Sequence, residues 1–518
     1  MRQPNVVNQK YRNMKTASME DVLPYDLKPV EELPLAPCYA GLSDAYHTPV
    51  APTPLPHPRL VHFNEPLAAE LGIDTGDQAL IDILSGNRPW PAYAPVASVY
   101  AGHQFGNWVS QLGDGRALTI AEIRKPDGER VELQLKGAGP TPYSRGSDGR
   151  AVLRSSIREY LCSEAMHALG IPTTRCLSLV ASPEPVQRET LETAAVVCRV
   201  APSFVRFGQF EFFYHRGQHA QLAPLADHVI AQNFPHLLDQ PDRYVRWLEE
   251  VIERTARLIA QWQTVGFCHG VMNTDNFSIL GLTLDYGPFG FMDAFRQHHV
   301  CNHSDYEGRY DYDSQPLIGQ WNCTRLLQAM QPLLSDNQEE AAGIVTDIYE
   351  RYSPAYSREA LRRWADKLGL REVREGDANL IGRLLTLLHR SKSDFTRGFR
   401  HLSRVRTDSD APAMGVREEI ADLQAFDAWV ADYRARLRAE QNIDDAARAA
   451  RMNQVNPKYV LRNHLAQAAI DRAINGDDSE VAVLMRLLSR PYDEQPAMER
   501  YAAAPPDELR HLEISCSS

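Results

Sequence analysis

The sequence predicts an α+β fold with a β-rich N-terminal part, a helical middle part and a helical C-terminal extension. Three short segments with apolar residues are separated by Gly-containing turns, which is typical of antiparallel strands. They lie at 108–112, 117–123 and 131–136. Helical spacing of apolar residues predicts helices over 151–169 and 244–265, and it dominates the chain beyond residue 320. We expect a cleft between the β-rich and helical parts.

These patterns divide the chain into four units. With 518 residues and 43% hydrophobic residues, the chain can bury a large core, and its length favours two to four structural units. The predicted units are an irregular or disordered extension (1–35), a β-rich lobe (36–205), a helical lobe (206–395) and a helical extension with a Cys-containing tail (396–518). Residues 36–95 are rich in Pro and Ala and predict irregular structure, and 397–415 is a polar break.

Charge and hydropathy exclude several classes of partner. The net charge of -12 opposes non-specific binding to nucleic acid and to anionic membranes, so arginines near 145–158 either have a local purpose or are solvated. A run of about 18 apolar residues, as a membrane span requires, does not occur in the sequence. The polar N-terminus lacks the apolar core of a secretory signal. We therefore expect a cytoplasmic protein with neither a nucleic-acid nor a membrane partner.

A glycine turn and a lysine in the β-rich part are candidates for binding phosphate. Gly113 and Gly115 let backbone N–H groups approach an anion, and Arg116 adds a charged donor. Lys136 ends an alternating strand on its polar face, and Glu159 lies on a small-residue face of the next helix. A plain hairpin turn and a solvated lysine are the ordinary interpretations. In this order, however, turn, lysine and glutamate are typical of the ATP-binding half of a protein-kinase fold.

The strongest candidate for an active site is the segment 269–276 together with the Asp-Tyr-Gly that begins at Asp285. Kinase-like enzymes place an Asn five residues after a catalytic Asp and then use Asp-Phe-Gly, and the Asn and the second Asp hold metal. Asn276 and Asp285 fit these two positions. Val271 occupies the position of the catalytic Asp and cannot accept a proton. A catalytically silent nucleotide-binding scaffold is therefore one interpretation, whereas Asp275 offers a relocated base in an active enzyme.

Longer motifs identify a family. They are Tyr100-Ala-Gly-His-Gln-Phe-Gly106, Gln111-Leu-Gly-Asp-Gly-Arg116, Lys136-Gly-Ala-Gly139, Thr141-Pro-Tyr-Ser-Arg145, Asp148-Gly-Arg-Ala-Val-Leu-Arg154, Val200-Ala-Pro-Ser203 and 269–290. Through these motifs the chain resembles the selenoprotein O (SELO, YdiU) family of protein adenylyltransferases over nearly everything after residue 36. The resemblance implies a protein-kinase-like two-lobed fold in which ATP is turned around, so that its α-phosphate faces the acceptor. AMP would then pass to Ser, Thr or Tyr hydroxyls of proteins, the chain itself included, and pyrophosphate would leave.

The resemblance also implies roles for individual residues. Asp275 would be the base, Glu159 would pair with Lys136, and Asn276 and Asp285 would hold Mg²⁺, with Mn²⁺ as an alternative because both metals favour oxygen ligands. Some members are associated with UMP transfer from UTP. The implied ATP contacts are Gly113, Gly115, Arg116, Lys136, Asp148, Gly149, Arg199, Arg206 and Asp285. By spacing alone, Arg199 and Arg206 look like ordinary surface arginines.

The resemblance further implies a redox pair. Eukaryotic members carry selenocysteine at the antepenultimate position, where this chain has Cys516, and in bacterial relatives the tail cysteine can bridge to a residue that corresponds to Cys301. We hypothesise a reversible Cys301–Cys516 disulfide that locks the segment after Asp285. Two unrelated thiols are the alternative, because disulfides are rare in the cytosol. Non-reducing peptide mapping after mild oxidation by oxidised glutathione should find the linked pair, and two free thiols would contradict the hypothesis.

Overall fold

The structure is a computed structural model that describes residues 27–77, 79–440, 444–510 and 512. The described residues form an α+β fold, as the sequence predicts. Their strands are β1 (His47–Pro49), β2 (Arg59–Phe63), β3 (Val96–Ser98), β4 (Gly102–Gln104), β5 (Asn107–Val109), β6 (Ala117–Arg124), β7 (Arg130–Lys136), β8 (Ala151–Val152), β9 (Arg175–Gln187), β10 (Leu191–Ala201), β11 (Phe267–Cys268) and β12 (Gly290–Phe291).

The helices lie between and after these strands. They are α1 (Glu65–Leu71), α2 (Leu80–Leu84), α3 (Leu153–Ala168), α4 (Phe207–His215), α5 (Leu222–Asn233), α6 (Arg243–Val265), α7 (Gln315–Leu334), α8 (Gln338–Tyr349), α9 (Tyr352–Lys367), α10 (Asp377–Ser391), α11 (Phe395–Leu402), α12 (Leu423–Arg438), α13 (Asp445–Asn453), α14 (Asn463–Ile474) and α15 (Ser479–Leu488). Among the described residues, no helix combines the length and the apolar character needed to cross a bilayer.

One large sheet organises the N-terminal part. Its strand order is β1-β3-β6-β7-β10-β9-β2, and β8 pairs with β10 at one side of this path. The helix α3 packs against β9 and β10, and the short helices α1 and α2 also contact these strands. Both faces of the centre of the sheet are thus covered, which explains why Glu132 and Gln134, on the polar face predicted for β7, are buried as completely as Leu133 and Leu135.

The sequence prediction was wrong in two places where the elements are short. The segment 36–95, predicted to be irregular, contains β1, β2, α1 and α2. Asn64 caps the first turn of α1 and Gly72 ends it in the left-handed conformation, but seven residues are too few for a periodic pattern to stand out. The predicted polar break at 397–415 begins inside α11.

The C-terminal helices return to the N-terminal part of the chain. Helices α14 and α15 both pack against α3. Arg158 on α3 donates one hydrogen bond to Asn463 Oδ1 (3.3 Å) and another to the carbonyl of Phe289 (2.6 Å). Tyr492 Oη donates to the carbonyl of Leu169, directly after α3 (3.0 Å). The C-terminal extension therefore braces the helix that carries Glu159.

The helices α6 and α7 pack closely at Gly319, which gives a test of the fold. A Cβ at this glycine would clash with Ile259 Cδ1 and Tyr352 Oη, so we expect Gly319→Ala to lower the free energy of unfolding by about 1–3 kcal/mol. Gly343 in α8 is the matched control, because no atom lies within 4 Å of the Cβ it lacks. Gly343→Ala should raise stability by about 0.5–1 kcal/mol. Denaturant unfolding measures both, and equal stability of the two variants would contradict this packing.

Candidate active site

A cavity of about 480 Å³ opens between the sheet and the segment 275–285, and its size suits a small-molecule ligand. Its lining is Tyr100, Gln104, Leu112, Gly113, Asp114, Gly115, Arg116, Ala117, Lys136, Tyr143, Ser144, Arg145, Ser147, Arg150, Arg188, Arg199, Arg206, Asp275, Asn276 and Asp285. Most of the residues singled out in the sequence therefore lie around one space. Of the predicted nucleotide-site residues, Asp148, Gly149 and Glu159 are not in this lining, although Asp148 bonds Arg188 and Glu159 bonds Lys136.

An ion-pair cluster forms the floor of this cavity. Lys136 Nζ donates to Glu159 Oε2 (2.6 Å) and to Asp285 Oδ1 (2.7 Å). Arg199 Nη1 donates to the same two carboxylates, at 3.3 Å from Glu159 Oε1 and 3.4 Å from Asp285 Oδ1. Two cations and two anions thus neutralise one another, and the lysine is paired with the glutamate as expected from the sequence.

The pairing of β7 with β10 explains why the two cations meet. In the register of these strands Lys136 faces Val197 and Gln134 faces Arg199, so the lysine and the arginine lie two positions apart on one face of the sheet. The helix α3, which carries Glu159, packs against β10 and its neighbour β9. Spacing alone makes Arg199 and Arg206 look like surface residues, but both are buried, with exposed fractions of 2% and 5%.

The charge of Asp285 is strongly stabilised. Burial alone would raise its pKa, but the charges of Lys136, Arg199 and Arg206 outweigh burial and hold the pKa well below its usual range. Asp285 is therefore a carboxylate at any physiological pH. An anion at this position can bind a metal ion without first losing a proton.

The pKa of Asp275 is shifted in the opposite direction from that of Asp285. It occupies a 3-10 turn, Thr274–Asn276, and burial raises the pKa of its carboxyl to about 6, although the Arg206 charge opposes the rise. Gln104 Nε2 donates to Oδ2 (3.4 Å), whereas Oδ1 is buried without a hydrogen-bond partner among the described residues. Arg206 Nη1 donates to the backbone carbonyl of Asp275 (2.9 Å) and fixes the turn. A carboxylate held in this way can accept a proton.

Asn276 and Asp285 have the donor chemistry of a site for a hard divalent cation. The amide nitrogen of Asn276 donates to the carbonyl of Val271 (3.0 Å), which leaves the amide oxygen as the atom that can bind a metal. Both side chains line the cavity and both offer oxygen, as Mg²⁺ and Mn²⁺ prefer. The residues present therefore fit the metal that the sequence motif predicts.

The turn at Gly113 and Gly115 requires glycine because Tyr143 packs closely against it. Gly113 has φ 137°, and a Cβ on it would clash with the ring of Tyr143, while a Cβ on Gly115 would meet the Tyr143 carbonyl. The turn and the loop that contains Tyr143 thus form one wall of the cavity. Gly149 likewise allows close approach, since a Cβ there would clash with Gly139.

Three arginines of the cavity were not predicted as site residues from the sequence. Arg145, Arg150 and Arg188 line the wall near Arg116. Asp148 binds the guanidinium of Arg188 through both carboxylate oxygens (2.8 and 2.9 Å), so its contact to the cavity runs through that arginine. The several arginines near 145–158, unusual in an acidic chain, could have indicated that Arg145 and Arg150 belong to a site. Nothing in the sequence around Arg188 indicates the same.

The cysteines bear on the predicted redox pair. Cys301 is buried, its Sγ lies 3.4 Å from the carbonyl of Cys268, and burial holds the pKa of its thiol well above the usual value. Cys516 lies outside the described residues. A bridge between the two would require the segment around Cys301 to open, because a buried protonated thiol reacts slowly.

Comparison with known proteins assigns the class. A "Protein nucleotidyltransferase YdiU" of Methylococcus capsulatus is 71% identical over 489 residues, which cover 94% of this chain and 97% of the relative. Proteins with the same description from Burkholderia ambifaria (53% identical over 521 residues, 97% and 99% covered) and Paraburkholderia xenovorans (54% over 496 residues, 93% and 95% covered) also match. The family model for "Protein adenylyltransferase SelO" matches residues 29–490. The chain belongs to the SelO family of protein adenylyltransferases, as its motifs indicate.

The buried ion pairs predict a stability effect that exposed pairs do not have. Glu159 is 2% exposed, so Glu159→Gln leaves a buried positive charge uncompensated and should lower the free energy of unfolding by about 3–5 kcal/mol. Asp432→Asn, which removes the half-exposed partner of Arg383, should cost less than about 1 kcal/mol. Denaturant unfolding compares them. Equal losses in the two variants would mean that the cluster does not hold the floor of the cavity together.

Proposed function

We propose that the chain transfers AMP from ATP to Ser, Thr or Tyr hydroxyls of proteins and releases pyrophosphate, with Mg²⁺ or Mn²⁺ as the metal. The observation that carries the proposal is the convergence, in one cavity, of Asp285, which is held charged by three cations, and Asp275, whose carboxyl is desolvated. One carboxylate is suited to a metal ion and the other to a proton. Membership of the SelO family supports the same chemistry.

The proposal includes a kinase-like, two-lobed arrangement of the chain. The large sheet with α3 corresponds to the β-rich lobe of 36–205, and α4 to α10 correspond to the helical lobe of 206–395. The cavity is lined by residues from both ranges. The extension 396–518 then acts as a brace, because α14 and α15 hold α3 from outside.

Each group has a defined task in the proposed reaction. Lys136, Arg199 and Arg206 bind the phosphates and stabilise the negative charge that builds up on the leaving pyrophosphate. Asp275 accepts the proton of the acceptor hydroxyl, whose oxygen forms a bond to the α-phosphorus while the bond from that phosphorus to pyrophosphate breaks. A metal ion held by Asn276 and Asp285 would supply further charge neutralisation on the phosphates.

Two other functions have to be distinguished from this one. A kinase would transfer the γ-phosphoryl group, and a silent scaffold would bind the nucleotide without transfer. Val271 stands where a kinase has its catalytic aspartate, the base of the reaction, which disfavours the first alternative. The buried Oδ1 of Asp275, which has no partner among the described residues, disfavours the second. Its burial costs free energy, and a role in catalysis would account for that cost. Transfer of UMP from UTP is a variant of the proposed reaction.

ATP labelled separately on the α- and the γ-phosphate tests the proposal. With Mg²⁺ or Mn²⁺ present, we expect label from the α position to become covalently attached to an added protein mixture or to the chain itself. Asp275→Asn should lower the transfer rate by about 100- to 10,000-fold and keep ATP binding, because it removes only the base. Asp285→Ala should abolish metal-dependent binding, and the exposed Asp313→Asn is the control. Label from the γ position, or none at all, would overturn the proposal.

A further inference from the structure

A second cluster of potential metal ligands lies beside the cavity. His103 belongs to β4, while Glu211 and His215 lie one turn apart on one face of α4. One ligand atom from each of the three side chains lies within 4.8 Å of the others. None of the three lines the cavity of about 480 Å³, although Gln104, next to His103, does. The cluster is therefore distinct from Asn276 and Asp285.

The hydrogen bonds within the cluster are incomplete. Glu211 Oε1 lies 2.6 Å from His103 Nδ1, but Glu211 Oε2 is buried and has no hydrogen-bond partner among the described residues. The side chain of Glu211 is 1% exposed. A buried carboxylate oxygen without a partner costs free energy, and a bound cation removes that cost.

The surroundings hold the two imidazoles in place. The ring of Trp108 lies 5.0 Å from that of His103 and 4.1 Å from that of His215. Trp321 packs edge-on against His103. His215 is exposed, which gives an ion access from solvent.

We propose that His103, Glu211 and His215 bind a divalent ion of the Zn²⁺ class, in a second site that is separate from the nucleotide-bound metal. Two imidazoles and one carboxylate are typical ligands of Zn²⁺, whereas Mg²⁺ takes oxygen ligands. Ligand atoms around a tetrahedral Zn²⁺ lie about 3.3 Å apart, so a small rotation of side chains closes the present spacing. A water molecule would take the fourth position.

The position of the site gives it a structural role. The backbone N–H of His103 donates to Thr274 Oγ1 (2.7 Å), and Gln104 Nε2 donates to Asp275. A metal ion that joins β4 to α4 would therefore fix the strand that contacts the turn of the proposed base. Arg309 and Arg325 lie over the Trp321 ring, at 4.9 and 5.2 Å from its centroid. Their positive charges repel a cation and therefore reduce the affinity of the site for the metal ion.

Titration with Co²⁺, which reports its coordination by visible absorption, tests the site on the full chain after removal of metals by a chelator. With excess Mg²⁺ present, we expect one Co²⁺ per chain, displaced by Zn²⁺. His215→Ala should weaken binding at least ~10-fold, as should Glu211→Gln. His219→Ala is the matched control, because this exposed histidine stacks on Tyr214 near the cluster without belonging to it. It should bind Co²⁺ like the wild type.

The Asp285→Ala variant separates this proposal from the proposed function. It should lose metal-dependent ATP binding and keep the Co²⁺ spectrum, since Asp285 does not belong to the His-Glu-His cluster. The second site is overturned if the wild type gives no such spectrum, if His215→Ala binds Co²⁺ as tightly as His219→Ala, or if Asp285→Ala abolishes the signal. Because His215 lies at the surface, its replacement does not endanger the fold.

Discussion

The mutual neutralisation of four clustered charges, three of them buried, is the constraint on which the rest of the structure depends. Lys136, Arg199 and Glu159 are buried, whereas Asp285 is 26% exposed toward the cavity, and each buried charge would be costly in the interior without its partners. The four come from two strands, one helix and one loop. The pairing of β7 with β10 and the packing of α3 are therefore conditions for the cluster. A cavity with several cations around a charged aspartate is the result.

This constraint gives the C-terminal extension a physical purpose. Its helices α14 and α15 pack against α3, which carries Glu159. Arg158 on α3 donates a hydrogen bond to the carbonyl of Phe289, four residues after Asp285. Arg462 is buried and pairs with Asp293 and Asp394. The extension thus holds both anions of the cluster through the elements that carry them. Loosening it would disturb the cavity from a distance.

Two things limited what the sequence could predict. Secondary-structure elements were predicted only where the periodic pattern was long, and the burial of a charged side chain depends on partners that the sequence does not show. Long periodic segments such as α3 and α6 were predicted within two residues, because many apolar positions repeat. Short elements such as α1 carry too few positions. The sequence does not distinguish a buried arginine such as Arg199 from a surface one. The only indication that Arg199 is buried was the run of apolar residues around it in β10.

Some residues of the candidate site could be predicted from local motifs, and others could not. The motif around Asn276 and Asp285 singled out two residues that both line the cavity, and the position of Lys136 before Glu159 predicted their contact. The cluster of His103, Glu211 and His215 could not be found in this way. His103 lies about a hundred positions before the other two and meets them only through the contact of β4 with α4. Tertiary contacts of this kind carry no local sequence pattern.

The central claim is that Asn276 and Asp285 hold a metal-bound nucleoside triphosphate with its α-phosphate toward the base. A crystal structure with Mg²⁺ and a non-hydrolysable ATP analogue tests it most directly. The account predicts a metal ion about 2.1 Å from the amide oxygen of Asn276 and from a carboxylate oxygen of Asp285, with the α-phosphorus closer to Asp275 than the γ-phosphorus. A γ-phosphate that faces Asp275, or a nucleotide bound away from these residues, would contradict it.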